Sequence, residues 1–142
     1  MALPNAGLRT LLVRDFMAKQ VVTFPPDMPI AEAVSLLVRH KYSGAPVVDA
    51  QGKLLGMLTE KDCLRGVVMA GGDAAEGSVV RDYMSTSVET VEPDTTLLDI
   101  AEGFMQAAFK RFPVTENGRL VGQISRFDVL RAIDHLLQQG GR

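Results

Sequence analysis

Two short stretches hold the residues best suited to chemistry. Gly56-Met57-Leu58-Thr59-Glu60-Lys61-Asp62 and Gly122-Gln123-Ile124-Ser125-Arg126-Phe127-Asp128 each set a hydroxyl three residues ahead of a carboxylate. That spacing is the signature of a helix start. The hydroxyl accepts from the backbone amide three residues on, and the acid reaches back to the cap amide. A capping box alone accounts for residue type and spacing. The same geometry also suits a ligand. A helix N-terminus presents free N–H groups and the positive end of a dipole, and a carboxylate beside it can accept from the two hydroxyls of a ribose. The two roles are compatible.

Lys61 and Arg126 fall in the first turn of these helices. A cation there opposes the helix dipole at a cost of a few tenths of a kcal/mol. Either both point into water or an anionic ligand offsets the cost. His40 and His135 have no paired acid motif and read as surface or packing residues. Cys63 follows Asp62 and reads as a small, buried hydrophobe rather than a redox switch. No nucleophile elbow, GxGxxG or GxxxxGK[ST] pattern occurs, so no enzyme chemistry is expected.

The two stretches are part of a longer duplication. Val13-Arg14-Asp15-Phe16-Met17 returns 67 positions later as Val80-Arg81-Asp82-Tyr83-Met84. The same offset relates Pro26-Asp27 to Pro93-Asp94 and Pro46-Val47 to Pro113-Val114. One residue then drops out, and Gly52/Gly118, Gly56/Gly122, Asp62/Asp128 and Arg65/Arg131 match at an offset of 66. A single gap in a loop is what a duplicated structural unit tolerates.

Each copy predicts the order β-α-β-β-α. Val21-Val22-Thr23 and Val88-Glu89-Thr90-Val91 are β-branched runs stopped by proline. Ile30, Ala33, Val34, Leu37 and Val38 follow at i, i+3, i+4, i+7 and i+8, as do Leu97, Ile100, Ala101, Phe104 and Met105. That spacing puts each set of five on one helix face. Asp27 and Asp94, with Thr95 and Thr96, are candidate N-caps. Strands are expected over 45–48 and 53–58, and over 112–115 and 119–124. Asn117-Gly118 is a strong hairpin signal between the last two. Closing helices are expected over 60–69 and 126–137. Short helical turns are expected before each first strand, over 11–17 and 79–84. The repeats read as 8–70 and 79–138, with 71–78 as linker. One unit makes a three-stranded sheet with one apolar face, so an α/β pair joined by pseudo-twofold symmetry is expected.

Composition fits a globular chain. Its 142 residues are 46% hydrophobic and 23% charged, with a net charge of −2. A chain of this size buries roughly 70% of its unfolded surface and needs no disulfide or metal. The charge lacks the basic excess of a nucleic-acid binder. One cysteine excludes an internal disulfide and a zinc cluster, and suits a reduced, cytoplasmic setting. Met1-Ala2-Leu3-Pro4-Asn5 carries no signal-peptide pattern, and no run reaches the roughly 18 apolar residues of a membrane span.

The ordered set of motifs, present twice, resembles the cystathionine β-synthase (CBS) domain family over residues 11–137, as a stand-alone pair or Bateman module. The resemblance rests on Val13–Met17, Pro26-Asp27, Gly44–Asp49 and Leu55–Asp62, and on Val80–Met84, Arg111–Val114 and Val121–Asp128. It implies a regulatory module that binds AMP, ADP, ATP or S-adenosylmethionine in clefts between repeats. It does not choose among these ligands. No cofactor is implied beyond the nucleotide itself.

The resemblance also assigns roles. Asp62 and Asp128, with Thr59 and Ser125, would hold the ribose. Val21, Val22, Thr23, Ser43, Gly44, Ala45 and Pro46 would hold the base in copy one. Val88, Glu89, Thr90, Phe112 and Pro113 would do so in copy two. Lys110 and Arg111 stand where family members often carry a phosphate ligand, and a guanidinium suits phosphate through paired bonds. Their counterparts in copy one, Ser43 and Gly44, are uncharged, so one stronger phosphate site is expected. Lys61 and Arg126 are further phosphate candidates. CBS pairs commonly form homodimers through their helices, and Leu64, Val67, Val68, Val129, Leu130, Ile133, Leu136 and Leu137 form an apolar series on the closing helices. An effector protein would read the bound state. The competing reading is a scaffold that dimerises without binding ligand.

Overall fold

The spacing of apolar residues sets the helices. Helix α2 spans Ile30–His40 and buries Ile30, Ala33 and Leu37, while α5 spans Leu97–Gln106 and buries Leu97, Ile100 and Phe104. The fifth member of each series turns outward: Val38 is 73% exposed and Met105 is 87% exposed. The buried stripe is therefore narrower than the sequence predicts. These coordinates form a computed structural model that describes residues 7–73, 77–108 and 110–140. Met1–Asn5, Ala74, Ala75 and Glu76 of the connector, and Gly141 lie outside the described residues.

The remaining elements follow the predicted order. After a single 3-10 turn at Leu8–Thr10, α1 covers Val13–Phe16, β1 Gly44–Val48, β2 Leu54–Thr59 and α3 Glu60–Met69. In copy two, α4 covers Val80–Tyr83, β3 Arg111–Glu116, β4 Arg119–Ser125 and α6 Arg126–Gly140. β1 pairs with β2 and β3 with β4, each antiparallel with one bulge. Asn117 and Gly118 both take positive φ, 54° and 81°, the backbone that an Asn-Gly hairpin turn requires.

The expected first strands shrink to single bridges. Neither 21–23 nor 88–90 is strand; only Phe24 and Val91 pair in parallel, with Val47 and Val114. Pro25-Pro26 and Pro93 lack the N–H groups a ladder needs, so pairing stops there. Asp27 and Asp94 do not cap helices either. They pair with Arg81 and Arg14. Thr96 caps α5, accepting from the Asp99 amide at 3.2 Å, whereas α2 begins after Pro29 with no side-chain cap.

The chain divides into two compact units, Val21–Val88 and the discontinuous pair Met1–Gln20 with Glu89–Arg142. We refer to them as the first-repeat and second-repeat units. Their boundaries differ from those of the sequence repeats. The helical turn that opens each repeat packs with the other repeat's strands. Val13 lies in the cluster with Leu97, Phe112, Val114 and Ile124, and Val80 in the cluster with Phe24, Ala45, Val47 and Leu58. Each such side chain, fully buried, contributes on the order of 1.5–3 kcal/mol. Backbone bonds fix the exchange. Val13 N–H donates to Thr95 O and Leu97 N–H to Leu11 O, both at 2.9 Å, and Val80 N–H donates to Met28 O and Ile30 N–H to Ser78 O, also at 2.9 Å.

The exchanged segments then run along the outer strand. Ser85 and Met57 trade both backbone bonds at 2.9 Å, and Ala18 and Gln123 do so at 2.8 and 2.9 Å. This approach explains the glycine that opens each motif. A Cβ on Gly56 would fall 2.5 Å from Ser85 O, and one on Gly122 would fall 2.7 Å from Ala18 O.

Candidate functional site

The strand-to-helix junction forms as the sequence predicts. Thr59 caps α3: its Oγ1 accepts from the Asp62 amide at 3.2 Å, while the Thr59 amide donates to Asp62 Oδ2 at 2.9 Å. In the second-repeat unit the Ser125 amide donates to Asp128 Oδ2 at 2.8 Å and Ser125 Oγ accepts from the Asp128 amide at 3.2 Å. Each hydroxyl also donates to its carboxylate at 2.9 Å. Thr59 with Asp62, and Ser125 with Asp128, are thus brought together.

Partners outside the motif separate the two carboxylates. Arg65 donates to Asp62 Oδ1 at 3.0 Å, and Arg131 donates to Asp128 Oδ1 at 2.9 Å. Asp62 Oδ1 also receives the Ser85 hydroxyl at 2.6 Å. Four donors therefore meet Asp62, which matches the roughly four lone-pair sites of a carboxylate. Among the described residues Asp128 receives three, because the residue at the place of Ser85 is Ala18. The Asp62 side chain is 2% exposed and that of Asp128 15%. Burial, the largest single influence on Asp62, works to raise its pKa. The bonds from Ser85, Thr59 and Arg65 together outweigh it, so the carboxyl titrates below its ordinary value.

Sequence reasoning missed Ser85 and the arginines as partners. Arg65 and Arg131 were visible as an acid–base pair at i, i+3, repeated in both copies. Ser85 carried no local signal, since it arrives 23 residues after Asp62 through the exchanged segment.

The other candidates divide in the same way. Ser43 O accepts from the Glu60 amide at 2.9 Å and Gly44 stands opposite Thr59, so both sit at the α3 start. Lys110 O accepts from the Arg126 amide at 3.1 Å and Arg111 stands opposite Ser125, so these two sit at the α6 start. The Arg111 Nε is buried without a hydrogen-bond partner among the described residues. Lys61, Lys110 and Arg126 are exposed. Ala45 and Phe112 belong to the cores, the Phe112 ring stacking on Phe104 with centroids 4.6 Å apart. Pro46 and Pro113 are buried and use their carbonyls to bond Phe24 and Val91 at 3.0 Å. Val21 and Thr23 are half-buried, and Val22, Glu89 and Thr90 are exposed. Val88 ends the first-repeat unit rather than joining Glu89 and Thr90.

Three further residues take structural places. Burial, and then the Asp62 charge, push the Cys63 thiol up, which keeps it protonated. His40 stacks on Tyr42 at 5.4 Å, and His135 lies 6.0 Å from Phe16. Among the described residues no helix is long and apolar enough to cross a membrane.

Residues 13–68 and 80–135 each match the family described as CBS domain. The chain therefore belongs to the CBS-domain family, as a tandem pair of repeats. It is 31% identical over 121 residues to the uncharacterized protein MJ1225 of Methanocaldococcus jannaschii, covering 85% of this chain and 42% of that protein. Among solved structures it is similar to CBSX2 of Arabidopsis thaliana in complex with AMP. There the TM-score is 0.76 at 29% identity, covering 89% of this chain and 98% of that one. It is also similar to the CBS domain pair of protein MJ0100 in complex with 5′-methylthioadenosine and S-adenosyl-L-methionine. That match has a TM-score of 0.69 at 25% identity, covering 87% and 96% of the two chains.

Proposed function

We propose that the chain is a regulatory, non-catalytic module that binds an adenosine nucleotide (AMP, ADP, ATP or S-adenosylmethionine) and passes its occupancy to a partner protein. The observation that carries this reading is the α6 start. Ser125 and Arg131 orient the Asp128 carboxylate; among the described residues one of its acceptor positions stays open, and Arg111 stands beside Ser125 with a buried Nε that has no hydrogen-bond partner there. A ribose hydroxyl would complete the first, and a phosphate oxygen would be the natural partner of the Arg111 guanidinium. An unsatisfied buried donor costs about 1–3 kcal/mol, and an anionic oxygen would remove that cost. Lys110 and Arg126, exposed nearby, add positive charge to the same start. The AMP complex of CBSX2 and the S-adenosylmethionine complex of MJ0100 support the ligand class.

The base would lie against the backbone at 89–90 and 112–113 in this unit, and against 21–23 and 43–46 in the other. Exposed Val38, Leu64, Val68 and Met69 with Leu130 and Leu137 support a homodimer built on helix faces. Val129 and Leu136, by contrast, are buried within the chain. Thermal unfolding against the four ligands tests the reading. A ligand at 100 times its Kd raises stability by about 2.7 kcal/mol, and Asp128→Ala should abolish that gain. A melting temperature that none of the four moves would leave the scaffold reading. One observation favours the scaffold for the first-repeat unit: Asp62 already has all the donors it can accept.

A further inference from the structure

We infer that Ser85 is a lock on the Asp62 carboxylate, so that the chain recognises a ribose diol through Asp128 alone and takes one nucleotide where its two motifs suggest two. The inference rests on the nucleotide-binding reading above and goes beyond it in assigning the occupied motif.

Three independent differences point the same way. The first is acceptor capacity. Asp62 Oδ1 is shared by Ser85 Oγ at 2.6 Å and Arg65 at 3.0 Å, and Oδ2 by the Thr59 amide and hydroxyl. A diol would have to displace one of these donors before it could bond. Among the described residues Asp128 has no fourth donor, because Ala18 occupies the place of Ser85. Both residues are seated by the same paired backbone bonds, to Met57 and to Gln123.

The second difference is access, with the Asp62 side chain at 2% exposure against 15% for Asp128. The third is charge. Arg111 stands opposite Ser125, and the equivalent position opposite Thr59 is Gly44. A Cβ on Gly44 would fall 2.9 Å from Leu58 O and 3.2 Å from the Thr59 methyl carbon. The first-repeat strand as built therefore has no room for such a cation. Diol acceptor, access and anion partner all fall on the second-repeat unit.

Calorimetric titration of the full chain with AMP tests the lock, with 2′-deoxy-AMP as the probe of the diol bond. The wild-type chain should bind one AMP per chain and prefer AMP to 2′-deoxy-AMP about tenfold. That ratio corresponds to about 1.4 kcal/mol, one charge-assisted hydrogen bond. Asp128→Asn should erase the preference, and Asp62→Asn should leave it intact. Ser85→Ala should add a second, weaker AMP per chain. Ala18→Ser, a change at an exposed position that does not threaten folding, should weaken AMP at least fivefold by supplying Asp128 with the missing donor. Two AMP per wild-type chain, or equal losses in the two Asn variants, would overturn the lock while nucleotide binding stands. A wild-type chain that binds none of the adenosine ligands would overturn the nucleotide reading. In that case the assignment of the nucleotide to Asp128 falls with it.

Discussion

Asp62 and Asp128 occupy one position in two copies of a motif, and the motif treats them alike. A hydroxyl three residues before and an arginine three residues after hold both. They differ because of a residue outside the motif. Ser85 fills the last acceptor position of Asp62, and among the described residues Ala18 leaves that of Asp128 open. Strand β3 adds Arg111 on the open side, while β1 offers Gly44 on the closed one. Duplication has preserved the frame and let the donors around it diverge. A repeated motif is therefore a statement about local folding first, and about binding only after its neighbours are known.

The comparison can be broken most forcefully at the glycines. Gly56→Ala and Gly122→Ala each drive a Cβ into the backbone carbonyl of the exchanged segment, at 2.5 and 2.7 Å. Overpacking of this kind costs about 1–3 kcal/mol or more. We expect both variants at the upper end, Gly56→Ala the worse, as read by urea denaturation. Equal wild-type stability in either would mean that the segment is free to move away.

A smaller and more discriminating effect lies at the carboxylates. Asp62→Ala strands four donors in a buried place and should cost about 3 kcal/mol, against about 1 kcal/mol for the half-open Asp128→Ala. The pH dependence follows the same line. The Asp62 pKa is lowered on folding, so its stabilising contribution is complete above the unfolded value of about 4. The contribution is lost as pH falls through the lower folded value. Asp62→Asn should flatten the fall in denaturation midpoint below about pH 4. An unchanged acid profile would remove Asp62 from the account. The mildest change concerns the helix starts. Thr96→Ala should cost about 1 kcal/mol. A serine in place of Pro29, which today caps nothing, tests whether α2 can gain what α5 already has.

Much of the frame was legible in the sequence because its signals are local. Apolar spacing located α2 and α5, Asn117-Gly118 located a hairpin, and the hydroxyl–carboxylate spacing located both helix starts. What escaped reading depends on long-range pairing. The β-branched run at 21–23 looks like a strand by composition, yet Pro25-Pro26 limits it to one bridge at Phe24. Asp27 and Asp94 have cap-like positions but bond arginines 54 and 80 residues away. The duplication does hold a trace of this, since Arg14/Arg81 and Asp27/Asp94 recur at one offset. Nothing in that offset says that each arginine serves the other copy's aspartate. Ser85 was unreadable for the same reason, and with it the inequality of the two carboxylates.

The exchange of opening turns also bears on how the polypeptide reaches its final state. Val13 and Val80 are both fully buried, each among strands of the opposite sequence copy. A fragment severed in the connector would carry a plug that fits its sibling and a socket that only the sibling fills. Such halves should be poorly ordered apart and recover structure when mixed, much as a mortise waits for its tenon. During synthesis, the first copy gains its missing piece as soon as residue 85 has emerged, whereas the leading turn must wait for the last helices to arrive.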